Sequence, residues 1–191
     1  QSVLECRGMI TDVEVIDGAF DDTFMEYCEN YYLGRLKWVY GHVSVSDNHS
    51  TRFFFGAQMD DYKIDDCPIT DYIKTVIQKE FNMKIEDYED LYVNGHTYQL
   101  DGNEHVDQHL KDVKEQKFTV MMMPNFFKEE DENVYGGFEF MQNTLIDYKP
   151  GRLIVFPSNM VHRGLSTNSK THMRMTLVWK SCTLTRPYII T

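Results

Sequence analysis

Within Gly102-Asn103-Glu104-His105-Val106-Asp107-Gln108-His109, an imidazole and a carboxylate stand two residues apart. In an extended segment, residues i and i+2 share a face about 6–7 Å apart. His105 and Asp107 can therefore turn toward one ion. His109 would lie on that face about 13 Å from His105, too far to join them unless the chain bends. A third ligand has to come from elsewhere. His162, beyond the apolar run Leu153-Ile154-Val155-Phe156-Pro157, is the residue best suited to supply it. Taken alone, His-x-Asp also describes a buried histidine hydrogen-bonded to a nearby acid.

Two imidazoles and one carboxylate on one side of an ion leave its opposite positions open, the arrangement of non-haem Fe(II) oxygenases. A second feature lies downstream, in Met173-Arg174-Met175-Thr176-Leu177-Val178-Trp179. As a strand it turns His172, Arg174 and Thr176 one way and Met173, Met175 and Leu177 the other. An arginine facing an apolar interior needs an anion, because an unpaired buried charge is costly. Its planar fork suits a carboxylate, and Thr176 can donate to the same group. An edge strand with Arg174 in water is the plain alternative. Arg163, beside His162, is expected in solvent, and His109 at the rim. His42, His49 and His96 have no partner pattern.

Most of the elements that must position these groups can be read from the pattern. Ile10–Ile16 predicts a strand stopped by Asp17-Gly18. Asp21 and Asp22 then sit where a helix N-cap belongs, followed by Phe24, Tyr27, Cys28 and Tyr31 at helical spacing. Pro68 opens a second helix with the stripe Ile69, Tyr72, Ile73, Val76 and Ile77. Strands are expected at 37–45 and 52–55 around a turn at 46–48. Further strands are expected at 91–100, 105–110, 118–123, 137–141, 152–156 and 173–180, punctuated by Asp101-Gly102, Gly136-Gly137 and Pro150-Gly151. The acidic stretch 129–132 is expected to be a solvated loop. Helices followed by many short strands fit helices packed on a sandwich or jelly roll.

Composition sets outer bounds. One domain is the default for 191 residues. Thirty acids against nineteen bases give a net charge of −11, which disfavours general nucleic-acid or anionic-membrane binding. No apolar run approaches the roughly 20 residues that span a bilayer. Cys6, Cys28, Cys67 and Cys182 are scattered without a CxxC pair, which excludes a zinc ribbon. They read as reduced thiols, so a soluble, cytoplasmic setting is expected. Gln1 in place of Met points to a processed start.

The ordered set Tyr98-x-x-x-Gly102, His105-x-Asp107, Gly136-Gly137-Phe138-Glu139-Phe140, Lys149-Pro150-Gly151 through Phe156-Pro157, His162, Arg174-x-Thr176 and Trp179 resembles the prolyl-4-hydroxylase-like branch of the Fe(II)/2-oxoglutarate-dependent dioxygenases. The resemblance covers roughly residues 90 to 180. It implies a mixed α+β, mainly β fold: a double-stranded β-helix (jelly roll) core with N-terminal helices packed on one sheet. It implies one domain over 1–191, with helix-rich support at 1–90 and the jelly-roll core at 91–180. It implies Fe(II) held by His105, Asp107 and His162. Arg174 would bind the distal carboxylate of 2-oxoglutarate, with Thr176 and Tyr98 helping. The other reactant would be O2, with ascorbate in support. The implied activity is hydroxylation of a C–H bond in an unidentified peptide, protein or small molecule, peptidyl proline among the options. Asp107 is a carboxylate, where a halide site would need Ala or Gly, so hydroxylation is favoured over halogenation. Many relatives place a Tyr in the strand after His-x-Asp, and Phe118–Met123 has none. A cupin-like metal- or ligand-binding barrel is the alternative, although such barrels usually carry His-x-His and a Glu.

Overall fold

The computed structural model describes residues 12–44, 52–58, 67–108, 115–127, 136–141 and 144–185. Cys6, His49, His109, the turn at 46–48 and the acidic stretch at 129–132 lie outside them. The order is β1 (Glu14–Ile16), α1 (Asp22–Arg35), β2 (Val39–His42), β3 (Phe54–Gln58), α2 (Pro68–Glu80), β4 (Lys84–Asp87) and β5 (Asp90–His96). Then follow β6 (Phe118–Met122), β7 (Gly137–Phe140), β8 (Thr144–Asp147), β9 (Leu153–Pro157), β10 (His162–Gly164) and β11 (Arg174–Thr185).

All strand pairs are antiparallel. The larger sheet has eight strands in the order β1-β9-β6-β11-β5-β3-β2, with β4 also paired to β11. The smaller sheet is β10-β7-β8. Among the described residues the fold is therefore mainly β, built from two antiparallel sheets with two helices.

The two helices cap and pack for separate local reasons. The Asp21 carboxylate accepts the backbone N–H of Phe24 at 2.8 Å and starts α1. Pro68 enters α2, where its missing N–H costs nothing. Helix α2 buries Ile69, Ile73 and Ile77 as its spacing predicts, while Tyr72 is half exposed and set edge-on to Phe24. Helix α1 buries Met25, Cys28 and Tyr32; of the expected set Phe24, Tyr27, Cys28 and Tyr31, Cys28 is buried, Phe24 and Tyr31 are partly buried against the core, and Tyr27 is 60% exposed. Aromatic rings are large enough to lie along the edge of a helix, so Phe24 and Tyr31 flank the buried face while Met25 and Tyr32 fill its centre.

Two apolar clusters explain why the central strands read as unbroken apolar runs. On β9, Leu153 and Val155 pack with Ile73, Ile77, Met25 and Cys28 from the helices. Their neighbours Ile154 and Phe156 pack with Phe138, Phe140 and Tyr148, between the two sheets. Both faces of the central strands β6 and β9 are therefore dry, and alternation of polar and apolar residues disappears there. The run Met121-Met122-Met123 splits between the clusters in the same way. Cys28, Cys67 and Cys182 are buried free thiols. Among the described residues, no helix is long and apolar enough to cross a membrane.

Three strands escaped the sequence pattern. Strand β4 is mostly charged, β8 is mostly exposed, and β10 has three residues. The expected strand at 105–110 is a correction: the described part, through Gln108, makes one isolated bridge from His105 to His162.

Gly137 opens β7 where the backbone of β8 comes closest: a Cβ there would collide with the Ile146 carbonyl oxygen. Gly34, near the end of α1, faces open space. Gly137→Ala should lower stability by about 1–3 kcal/mol, and Gly34→Ala should raise it by about 0.5–1 kcal/mol. Urea unfolding of both variants checks this; equal effects would contradict the β7–β8 register.

Candidate active site

The site is assembled from a loop, a short strand and the long strand β11. His105 and His162 exchange backbone hydrogen bonds, N–H to O, at 3.0 and 2.9 Å. This bridge sets the two imidazoles side by side, with ring centroids 4.3 Å apart. Two residues on, the backbone N–H groups of Asp107 and Gln108 both donate to Ser158 O, at 2.8 and 2.9 Å. The chain is pinned there, and the Asp107 carboxylate turns toward the histidines without a regular strand.

Each imidazole is oriented from behind. His105 Nδ1 lies 3.0 Å from Asn103 O, and His162 Nδ1 lies 3.0 Å from Met160 O. A carbonyl only accepts, so each Nδ1 carries the proton and each Nε2 presents a bare lone pair. His162 is further held by Phe140, stacked at 5.9 Å, and by Phe156, edge-on at 4.7 Å. Burial, and then the neighbouring His162, push His105 down to about 4 against the pull of Asp107. It is uncharged at neutral pH, the state a metal ligand needs.

Asp107 is 8% exposed, and Thr119 Oγ1 donates to its Oδ2 at 2.5 Å. With the Thr119 proton committed, the Ser158 hydroxyl 3.0 Å away must donate to Thr119. Thr119 and Ser158 are both fully buried. His105 Nε2 is 3.6 Å from Asp107 Oδ1, and His162 Nε2 is 3.7 Å from Asp107 Oδ2. Both separations are below about 4.2 Å, twice a typical metal–nitrogen bond. One ligand atom from each of the three residues lies within 4.8 Å of the others. The donor set of two imidazole nitrogens and one carboxylate fits a divalent transition metal.

Arg174 opens β11 and is completely buried. Its guanidinium lies 4.8 Å over the Phe138 ring and 5.8 Å from that of Tyr148. Nη1 donates to Thr176 Oγ1 at 2.9 Å. Nε and Nη2 are buried without a hydrogen-bond partner. Burial lowers Arg174 to about 10, so it remains a cation at neutral pH. A Cβ on Gly164 would stand 2.6 Å from Nη2. Gly164 follows His162 by two residues on the same strand, a rise of about 6–7 Å. A buried cation with two idle donors thus lies one strand repeat from the metal ligands, a spacing that a short dicarboxylate can bridge.

His105, Asp107 and His162 meet as the spacing suggests, and Arg174 and Thr176 meet each other beside them. Tyr98 does not join them by any hydrogen bond: it sits in the turn after β5, 39% exposed, with the Lys170 ammonium 5.6 Å over its ring. Arg163 is not free in solvent but donates from Nε to Glu139 Oε2 at 2.6 Å across the β10–β7 pair.

Three contributors had no assigned role in the sequence. Thr119 is a lone hydroxyl within the apolar run Phe118–Met122, and that mismatch is a readable signal. Ser158 follows the apolar run of β9. His96 pairs with Arg174 in register, stacks on Phe54 at 4.3 Å, and is held by Leu100 O at 2.7 Å from Nδ1. Burial and the nearby Arg174 keep it uncharged. Nothing in its local sequence marks it.

No family model and no curated protein sequence matches the chain. Solved structures do. A prolyl hydroxylase from Trichoplax adhaerens, in complex with a peptide fragment of the hypoxia inducible factor oxygen degradation domain, aligns with a TM-score of 0.61 at 16% identity, over 88% of this chain and 83% of that one. A prolyl-4-hydroxylase from Pseudomonas putida aligns at 0.56 and 14% identity, over 88% and 92%. A viral collagen prolyl hydroxylase from Paramecium Bursaria Chlorella virus-1, solved as a 2OG complex, aligns at 0.50 and 16% identity, over 87% and 93%. At these identities the likeness is one of fold. The chain has the fold of the Fe(II)/2-oxoglutarate oxygenases, prolyl hydroxylases among them.

Proposed function

We propose that the chain is an Fe(II)- and 2-oxoglutarate-dependent dioxygenase that hydroxylates a C–H bond of its substrate. The observation that carries this reading is the pairing of a two-histidine, one-carboxylate cluster with a buried arginine that has two idle donors. A cupin-like binding barrel explains the cluster but gives that arginine no partner. The two sheets are read as the halves of a double-stranded β-helix, and residues 1–191 as one domain.

His105, Asp107 and His162 would hold the iron, which when bound supplies the oxidative chemistry with O2 and 2-oxoglutarate. The chain's own residues do the positioning. The Asn103 and Met160 carbonyls fix the tautomers of the two histidines. Thr119 and Ser158 hold the carboxylate in one rotamer. Arg174 takes the distal carboxylate of 2-oxoglutarate through Nε and Nη2, while Thr176, which accepts from Nη1, keeps its own proton to donate. Phe138 and Tyr148 keep water from the guanidinium. Tyr98 would have to leave Lys170 to help, so Arg174 and Thr176 carry the role. No general base or nucleophile is required. Peptidyl proline is one candidate target, in keeping with the peptide bound by the Trichoplax neighbour. Ascorbate would serve only to restore ferrous iron, and a soluble cytoplasmic protein is the setting proposed.

Three outcomes test this. The Fe(II)-loaded protein should form succinate from 2-oxoglutarate slowly without substrate, and Asp107→Ala should abolish it; succinate formation that persists in Asp107→Ala contradicts the ligand set. Arg174→Met should leave thermal stability unchanged or higher, because an unpaired buried cation is removed. It should also weaken 2-oxoglutarate binding about a hundredfold or more, as expected for two charge-assisted hydrogen bonds worth about 3 kcal/mol together. A loss of stability with 2-oxoglutarate affinity intact would show the arginine to be structural. Thr119→Val should weaken Mn(II) binding about 10–100-fold by freeing the Asp107 rotamer; calorimetric titration reads it, and unchanged affinity would remove Thr119 from the site.

A further inference from the structure

The walls beside the metal ligands carry a charge pattern of their own. A cavity of about 730 Å³ is lined by His105 and Asp107 together with Phe54, Tyr92 and Asn94. A second hollow of about 370 Å³ also touches Asp107, and the two share Glu89. They form a trough that runs past the carboxylate ligand.

Glu89, Asp90 and Glu104 line the larger hollow, and Asp87 lines the smaller. Two lysines face them, and both are already engaged. Lys180 Nζ is 3.9 Å from Asp90, and Lys117 Nζ is 3.9 Å from Glu115 and hydrogen-bonded to the Thr183 hydroxyl. Among the described residues, Asp87, Glu89 and Glu104 have no ion pair. Asn94 adds a second, independent sign of a missing ligand: its Oδ1 is buried at the cavity wall with no hydrogen-bond partner. That oxygen can only accept, so it calls for an N–H donor.

We infer that the trough receives a positively charged, extended polypeptide segment, with lysine or arginine beside the residue that is oxidised. This rests on the oxygenase reading above and names its substrate class. Unpaired carboxylates along the trough attract cationic side chains and repel acidic ones. The partly buried Tyr92 ring at the cavity wall offers its surface to a guanidinium or a lysine stem. A backbone N–H of the segment satisfies Asn94 Oδ1. Two adjoining hollows suit an extended chain better than a compact metabolite.

The net charge of −11 attracts any polycation at long range, so the test must separate local from global attraction. The probes are two fluorescein-labelled peptides of about twelve residues with a central proline, one flanked by lysines and one by glutamates. Binding to the full chain is read by fluorescence anisotropy at physiological salt, where exposed charges more than about 8 Å apart are screened. The lysine peptide should bind at least about tenfold more tightly than the glutamate peptide. Glu104→Lys, and separately Glu89→Lys, should cut that preference severalfold or more. Glu26→Lys makes the same charge change on the exposed face of α1, outside both hollows, and should change it less than about twofold. Equal binding of the two peptides, preference for the glutamate peptide, or equal effects of Glu26→Lys and Glu104→Lys would overturn the inference. Succinate formation without peptide reports on the oxygenase reading separately. Lost charge discrimination with succinate intact overturns only the substrate class; discrimination without succinate overturns only the oxygenase.

Discussion

A two-way backbone bridge between His105 and His162 is the constraint on which the site depends. It joins a loop that belongs to neither sheet to the three-residue strand β10 of the smaller sheet. The rest follows in sequence order. Asp107, two residues past the bridge, is tied to Ser158 O, and Ser158 follows β9 of the larger sheet. Gly164, two residues past His162, has no side chain and lets Arg174 from β11 lie against it. Both sheets therefore meet in one small volume, and each contributes polar groups there.

That volume departs from the rest of the interior. Elsewhere the central strands bury Leu, Ile, Val, Met and Phe on both faces. Here the structure buries a guanidinium, a carboxylate, two histidines and three hydroxyls, with His105 partly buried beside them. Most of these satisfy one another: Thr119 serves Asp107, Ser158 serves Thr119, and backbone carbonyls serve the imidazoles. Arg174 is the exception, with donors left over in a dry pocket. Unsatisfied buried donors cost stability, so their retention is explained best by a ligand that completes them. On the proposed reading, that ligand is the anionic end of 2-oxoglutarate.

Much of this was legible in the sequence because the chemistry uses rare residue types in order. His105-x-Asp107, His162 and Arg174-x-Thr176 stand out against apolar runs, and α2 announces itself through Pro68 and its isoleucine stripe. Other features were hidden for physical reasons. Strand β10 is too short to show a period, and the ligand loop imitates a strand because alternation and a backbone bridge both bring His105 and Asp107 together. Buried aromatics and exposed aromatics look alike at helical spacing, so Tyr27 reads as part of the inner face of α1 although it is exposed. His96 and Ser158 act through tertiary neighbours, and no local pattern marks them. Tyr98 fitted the ordered motif set, yet it stands at the surface beneath Lys170.

The central claim is that one ferrous ion and one 2-oxoglutarate occupy adjoining places built by His105, Asp107, His162 and Arg174. Anaerobic visible absorption titration measures this before any turnover. Fe(II) and 2-oxoglutarate added together should produce a metal-to-ligand charge-transfer band that saturates at one equivalent of each, and neither reagent alone should produce it. A protein that binds both reagents without that band, or develops it equally after Asp107→Ala, would contradict the account.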